Sequence, residues 1–600
     1  MRFVSKSVDG YTLFAVSGTN TVSFGIDYKS ADTTGLLGFA VEREDPTENE
    51  RYFVYGMKVF ASVIPAPTEE TLVTTFNHPI QSFVWDDFTC KPSRRYTYRF
   101  YPLKGKPKNI DRSADPIVIV VETEPLFTTD RDDVFFNRGV ASSQAYVRRF
   151  QNQRPDQITD PDKRAEALQW LSRDLDEAML RFIDAAKPGD TLLGCFYEFR
   201  YEPVALALKA AHDRAVKVRL ILDGKINEFT DSDGFHPSFP RIENRKMVAH
   251  VGLPDDTIAL WREANSDDIQ HNKFMVLLRG ANETPADVWT GSTNLSMGGV
   301  HGQTNVGHWV RNAAVAARFR DYWTLLSNDP GAQDGETRAE RTADRKALRE
   351  AVDDLEAVPP KWADIPAGTS TVFSPRTGLD VLKMYVATLD EAHELACVTL
   401  AFGINKLFKT QLVQHTAASP VTFILLEKRD KPNPRANDPF VPLTAKHNIY
   451  QAWGAFLRDP LYQWARETNA MALQLNQHVS YIHSKFLLKD PLGADPIVIT
   501  GSANFSDAST NGNDENMLLV RGDERIADIY FTEFNRLFFH YYFRSVQEMF
   551  FHRDSEAGTS TPNASLFLDE TGAWLEKYRP GSLKAKRVEV FTAMANPRLL

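Results

Sequence analysis

The sequence is poor in cysteine and has no long apolar run, and both shortages narrow its class. Three cysteines in 600 residues, Cys90, Cys195 and Cys397, form an odd and widely spaced set. Such a set supports neither a disulfide framework nor a zinc cluster. Cys195 and Cys397 lie in the apolar segments LLGCF and LACVTL and read as buried core thiols. No apolar stretch approaches the ~18 residues of a membrane-spanning helix. The opening MRFVSKSVDGYTLF lacks the apolar stretch of a secretory signal. The expectation is a cytoplasmic chain with no integral membrane segment. Excess positive charge is missing too: a net charge of −10 argues against a broad nucleic-acid-binding face, while leaving room for a local basic cleft. The one basic cluster, Lys577, Arg579, Lys584, Lys586 and Arg587, reads first as solvated surface and second as a phosphate- or membrane-facing patch.

What is present is several domains of ordinary globular composition. Six hundred residues exceed one core. Residues 1–127 contain short runs rich in Val, Tyr, Phe and Ile (TLFAVSG, TVSFGIDY, RRYTYRFYPL, DPIVIVVETEP) separated by polar turns, which predicts an all-β sandwich. Its last two strands resemble those of immunoglobulin and fibronectin type III modules. From residue 128 the pattern changes to helix, strand, helix, strand, the β-α-β order of a sheet covered by helices. This first α/β unit is expected over 128–328. The charged stretch 329–366 predicts a solvated helical linker. Residues 367–600 then repeat the earlier order: the strands at Val218 and Val421 are 421 − 218 = 203 apart. A nearly constant offset over some eighty residues predicts an internal duplication, two α/β half-domains related by a pseudo-two-fold axis.

The sharpest signal lies inside that duplication. Of fourteen histidines, only His271 and His483 are followed by Lys at the second position, Lys273 and Lys485. Each pair precedes a GSxN segment, Gly291-Ser292-Thr293-Asn294 and Gly501-Ser502-Ala503-Asn504. HNKFMVLL and HSKFLLKD read as strands, and alternate residues on a strand face one way, so each His shares a face with its Lys. Two sets of His, Lys, Ser and Asn suit a phosphodiester. One imidazole attacks phosphorus, the other protonates the leaving oxygen, and cations and hydrogen-bond donors hold the equatorial oxygens.

These motifs resemble the HxK…GSxN motifs of the phospholipase D superfamily, over about residues 128–550, and WLEKYRPGSLKAKR resembles a tail of some members. The resemblance implies phosphodiester cleavage or transfer through a covalent phosphohistidine, with no cofactor and no metal. It implies His271, Lys273, Asn294, His483, Lys485 and Asn504 as catalytic, with Ser292 and Ser502 contacting substrate. The family places Asp five residues after the motif Lys. Here that is Asp490 in the second half, read mainly as a structural residue, and Leu278 in the first. It also places a carboxylate downstream of GSxN against the motif His. Glu515 stands there in the second half. A shift by the His-to-His offset, 483 − 271 = 212, gives Gln303 in the first, with Thr304 and Asn305 as neighbouring alternatives. A carboxylate raises an imidazole pKa. His483 beside Glu515 is therefore expected to be the acid, and His271 beside Gln303 the nucleophile. Gln in one half with Glu in the other resembles tyrosyl-DNA phosphodiesterases within the superfamily. His308, in VGHWV, reads as a packed strand residue. Phospholipid headgroup hydrolysis is the favoured activity. A nuclease or DNA-end phosphodiesterase stays open, and so does a non-catalytic phosphate- or lipid-binding scaffold. A cardiolipin-synthase type of transferase is less favoured, because those enzymes usually carry membrane segments. With both halves in one chain, a monomer is expected.

Overall fold

The computed structural model describes the chain apart from residues 57, 69–70, 140–145, 147–148, 152, 232–233, 264–267, 334, 433–439, 455–480 and 558–566, and the side chains of 546–557. The N-terminal strands form two antiparallel sheets. Arg2–Val4, Thr12–Ser17, Val22–Asp27 and Val84–Asp87 make one. Asn109–Asp111, Arg95–Lys106, Leu36–Asp45 and Glu50–Phe53 make the other, with Ile117–Glu122 also on Arg95–Lys106. Alternation along Arg95–Lys106 buries Tyr96, Tyr98 and Phe100 and turns Arg95, Thr97 and Arg99 outward, the period of a half-buried strand. Phe24 of the first sheet meets Tyr98 and Phe100 of the second at 4.7 and 5.3 Å between ring centroids, so the two sheets share one core.

Two seven-stranded mixed sheets follow, and they match strand for strand. The first runs Asp133–Phe136, Val306–Val310, Thr284–Gly291, Lys273–Arg279, Thr191–Phe196, Lys217–Asp223, Ile258–Arg262. The second runs Gly368–Ser374, Glu515–Arg521, Ile497–Gly501, Phe486–Lys489, Leu395–Leu400, Val421–Leu426, Ile449–Trp453. In each, the last three strands are parallel and the remainder antiparallel. Thr191–Phe196 and Leu395–Leu400 are buried along their whole length, because helices cover both faces. Helix Glu202–Asp213 shows why: Val204, Ala205, Leu208 and Ala211 recur at helical spacing and are its buried stripe.

Helices Ala313–Leu326 and Glu524–Ala557 lie between the two halves. Phe319 of the first contacts Phe274 at 5.0 Å and Phe373 at 5.1 Å, one ring from each half. Tyr530 of the second touches Phe136 and Phe486, at 5.2 and 5.3 Å. The halves are therefore joined by aromatic packing as well as by covalent linkage. The charged segment between them is helical over Arg338–Leu355, with a Thr337/Glu340 capping box. It is not simply solvated, as its charge had led us to expect. Leu348 and Val352 are buried, Arg345 pairs with Asp268, and Arg349 donates to the Asn511 carbonyl at 2.9 Å. A helix with only two core residues is anchored instead by arginines reaching both halves.

Candidate active site

Both motif histidines sit just ahead of their strands, His271 two residues before the ladder that begins at Lys273 and His483 three before the one that begins at Phe486. The segments pair reciprocally across the halves: Gln270 bridges Asp514, and Ile482 bridges Thr304. The His271 amide donates to the Asp514 carbonyl at 3.0 Å, and the His483 amide donates to the Thr304 carbonyl at 3.3 Å. This exchange is what a pseudo-two-fold axis between the motifs produces, and it brings both histidines to one place.

Alternation survives at the entry to each strand. Lys273 Nζ donates to the His271 carbonyl at 2.5 Å, and Lys485 Nζ to the His483 carbonyl at 2.6 Å. The intervening Asn272 and Ser484 turn the other way, into the seam. Asn516 donates to Asn272 Oδ1 at 2.8 Å, and Ser484 meets the Thr304 hydroxyl at 3.3 Å. The GSxN glycines are demanded by close packing: a Cβ on Gly291 would lie 2.2 Å from the Val306 carbonyl oxygen, and one on Gly501 2.2 Å from that of Asn516.

The partners of the histidines are crossed, which corrects the expected pairing. Glu515 reaches His271 of the other half, with both carboxylate oxygens 3.0 Å from Nδ1. His483 Nδ1 lies 2.9 Å from Asn305 Oδ1, also of the other half. Gln303 is not the imidazole partner in this arrangement; its backbone carbonyl accepts from Asn137 at 2.7 Å. The reason is local register. The partner follows GSxN, whose offset is 504 − 294 = 210, and 515 − 210 = 305. The His-to-His offset of 212 overshoots by the two residues by which the loops differ. Asn305 Nδ2 donates to the Gly299 carbonyl at 2.8 Å, which turns its oxygen toward His483 and places the imidazole proton on Nδ1.

Ser292 and Ser502, expected at the substrate, are fully buried instead. Ser292 Oγ donates to Asn305 Oδ1 at 2.8 Å and accepts from the Val306 amide at 3.1 Å. Ser502 Oγ accepts from the Asn516 amide at 3.0 Å and lies against Glu515. Each serine steadies the residue that orients a histidine. Asn294 donates to Glu198 at 2.9 Å, and the Oδ1 atoms of Asn294 and Asn504 are buried without a hydrogen-bond partner among the described residues. Asp490 stands away from this cluster and receives the amides of His393, Glu394 and Leu395 at 2.8–3.2 Å, closing a strand end. His308 is buried on its strand, 3.3 Å from the Tyr530 hydroxyl, and His301 is held by Tyr201 and the Leu168 carbonyl, both at 3.1 Å.

Two residues were not singled out in the sequence. Asp223 and Glu427 end equivalent strands, in VRLILD and VTFILLE. Glu427 receives the Tyr481 and Ile482 amides at 3.0 and 2.7 Å, just before His483. Asp223 likewise receives the Gln270 amide before His271, and burial pushes its pKa up to about 7. Their equivalent position was the readable signal.

The electrostatics follow from four bases gathered around Glu515, with Glu198 and Asp223 as further carboxylates within reach of Lys273. Burial lowers the His271 pKa, against the pull of Glu515. His483 is pushed well below the ordinary imidazole value by burial, then by Lys485, Lys273 and His271. Lys273 falls to about 8 through burial, and Lys485 falls well below its usual range through burial and Lys273. Burial works to raise Glu515, yet His271 and Lys273 outweigh it and hold the carboxyl ionised. Such a site is short of negative charge, and an anion between the histidines would relieve it.

The matched segments agree with this geometry. The family "Cardiolipin synthase, PLD-like domain" matches residues 179–324 and 393–538, one segment in each half and each holding a complete motif. Two segments of the chain thus match a phospholipase D-like domain. The chain is a mixed α/β protein with two repeats of that domain. No curated protein matches it significantly. Among solved structures, it is similar to Haemophilus influenzae phosphatidylserine synthase, at 11% identity and a TM-score of 0.40, over 70% of this chain and 93% of that one. Polyphosphate kinase from Porphyromonas gingivalis aligns at 11% identity and 0.35, over 59% of this chain and 46% of the other. Yeast tyrosyl-DNA phosphodiesterase aligns at 9% identity and 0.27, over 56% and 84%. Among the described residues no helix is long and apolar enough to cross a membrane.

Proposed function

We propose that the protein cleaves a phosphodiester through a phosphohistidine on His271, with phospholipid headgroups as the substrate class. The observation that carries the reaction is the crossed pair of imidazoles, each oriented through Nδ1 by the opposite half. Glu515 accepts the Nδ1 proton of His271 and leaves a lone pair on Nε2. As Nε2 attacks phosphorus, the ring gains positive charge beside that carboxylate. The bond to the leaving oxygen breaks, and that oxygen takes the Nε2 proton that His483 carries once the bound phosphate anion offsets the surrounding positive charge, while the Nδ1 proton stays directed at Asn305. With a neutral amide as partner and ammonium groups nearby, His483 gives its proton up readily. Water then attacks phosphorus, His483 takes its proton, and the N–P bond breaks. Lys273, Lys485, Asn294 and Asn504 hold the non-bridging oxygens. His271 thus keeps the role expected of it for the opposite reason: the carboxylate supports the nucleophile rather than the acid.

Phospholipid is favoured by the apolar side chains beside the motifs. The strand alignment Thr191 with Leu395 places Glu198 of the first half opposite Phe402 of the second. Glu198 binds Asn294, whereas Phe402 is 66% exposed. Ile226, Phe229 and Phe235, in the segment leaving the strand that ends at Asp223, are also exposed, at 57, 56 and 64%. Exposed apolar side chains from both halves, Phe402 from the second and Ile226, Phe229 and Phe235 from the first, suit a headgroup attached to acyl chains. The domain reading that accompanies this is a β-sandwich of immunoglobulin or fibronectin type III kind over 1–127, half-domains over 128–328 and 367–600 joined by 329–366, and a monomer.

Turnover of phosphatidylcholine vesicles and of single-stranded DNA, compared with the His271→Ala/His483→Ala double variant, tests the substrate. Cleavage of DNA alone would overturn the lipid assignment. Labelled phosphoenzyme should be retained by His483→Ala and not by His271→Ala; the reverse result would exchange the two roles.

A further inference from the structure

The basic cluster near the C-terminus is not consumed by the catalytic site. It folds back on the N-terminal sheets instead. The Leu568 amide donates to the Val59 carbonyl at 2.9 Å, and Gln81 bonds the backbone of Asp569 at 2.6 and 2.8 Å. Trp574 donates to the Leu36 carbonyl at 3.1 Å. Between these contacts lies a solvent-open recess of about 820 Å³, which is within the usual size of a small-molecule site.

Three lysines from distant parts of the chain line it: Lys58, Lys577 and Lys584. They lie within electrostatic reach of one another. Lys584 is held down to about 8 by its recessed position, then by Lys577, Arg587 and Lys58, although its side chain still meets solvent through the opening. Neither Lys577 nor Lys584 makes an ion pair among the described residues; Lys584 has only the Tyr578 ring, 5.5 Å away. Two carboxylates, Asp569 and Glu570, also line the recess, but each has a partner elsewhere. Glu570 accepts the Ser62 amide at 2.8 Å, and Asp569 accepts the Thr571 amide at 3.0 Å. His78 lines the wall too. Its Nδ1 accepts from the Phe60 amide at 3.1 Å, so the neutral ring keeps its proton on Nε2, as a further donor.

We propose that this recess is a second anion site, separate from the catalytic pair, and that it binds a phosphate monoester or pyrophosphate group. With Asp569 and Glu570 also in the lining, the recess keeps a small positive excess, and Lys577, Lys584 and the His78 Nε2 proton are donors that an anion could take together. A phosphate monoester supplies close to two negative charges at neutral pH, with three acceptor oxygens. Two sources share that chemistry: a soluble phosphorylated molecule, or a lipid headgroup bearing a terminal phosphate.

The test uses the full chain and a Lys577→Met/Lys584→Met variant. Calorimetric titration with inorganic pyrophosphate should show one binding equivalent more in the wild type, or at least about tenfold tighter binding at low salt. Turnover of bis(p-nitrophenyl) phosphate should be unchanged, which also verifies folding. Flotation with phosphatidylcholine vesicles, with and without phosphatidic acid, forms the second arm. Loss of pyrophosphate binding in the variant assigns a soluble ligand. Loss confined to phosphatidic acid vesicles assigns a headgroup. Equal binding by variant and wild type in both arms overturns the proposal. Should the double variant misfold, Lys577→Ala alone, whose side chain is exposed, gives the same comparison.

Discussion

Replacing Glu515 by Gln isolates the crossed pairing. Glu515 is fully buried, and both its oxygens lie 3.0 Å from His271 Nδ1. The change keeps the shape and removes the charge. A hydrogen bond to a charged group contributes about 1.5–3 kcal/mol. If it is made chiefly as His271 acquires positive charge, its loss slows attack by about 10- to 150-fold, at 1.36 kcal/mol per tenfold. The choice of substrate separates this from the alternative in which Glu515 serves the acid. p-Nitrophenolate leaves without protonation, whereas an alkoxide does not. A defect in the nucleophile therefore slows the p-nitrophenol burst and the cleavage of an alkyl phosphodiester alike. A defect in the acid spares the burst. Glu515→Gln is expected to slow both, and Asn305→Ala to slow the alkyl substrate selectively. A Glu515→Gln burst within about twofold of wild type would refute the reasoning, as would a burst lost in Asn305→Ala and kept in Glu515→Gln.

Lys273, held near 8, should lose its charge as pH rises through that value; the alkaline fall in kcat/KM near pH 8 should be absent from the residual activity of Lys273→Met. Because the unfolded chain holds that proton up to about 10.5, stability of the empty protein should rise with pH between about 8 and 10.5, and urea midpoints of the same two proteins compare the slope. Gly291→Ala would force a methyl to 2.2 Å from the Val306 carbonyl and should cost about 2 kcal/mol or more, read as a lowered urea midpoint. Burial would raise the Glu533 pKa, but Arg173 and Arg536, each 2.7 Å away, bring it down to about 2. Its contribution is present above pH ~4.5 and fades as pH falls toward 2. Glu533→Gln should destabilise by about 3–5 kcal/mol at neutral pH and flatten acid unfolding over that window.

The duplication was legible because hydrophobic periodicity and motif spacing are local. Runs such as LLGCF and LACVTL announce buried strands, and the HxK and GSxN segments recur at offsets a linear reading can measure. The glycines were legible as tight backbone positions, though not the carbonyls that enforce them. Gln303 shows the limit. Choosing between an offset of 212 and one of 210 required knowing that the partner packs behind Ser292 rather than level with His271. The buried serines show the same limit, since residue type alone did not say whether their hydroxyls met substrate or Asn305 and the Glu515 side.

The sequence by itself determined that the protein carries two equivalent half-domains and a doubled set of imidazole, ammonium and amide groups, because residue type and spacing are properties of the linear chain. Only the tertiary structure decided which half completes which. The Gln270–Asp514 and Thr304–Ile482 pairings across the seam carry Glu515 to His271 and Asn305 to His483. Contacts between residues 178 and 244 positions apart are set by the packing of one half on the other, and no local pattern encodes them.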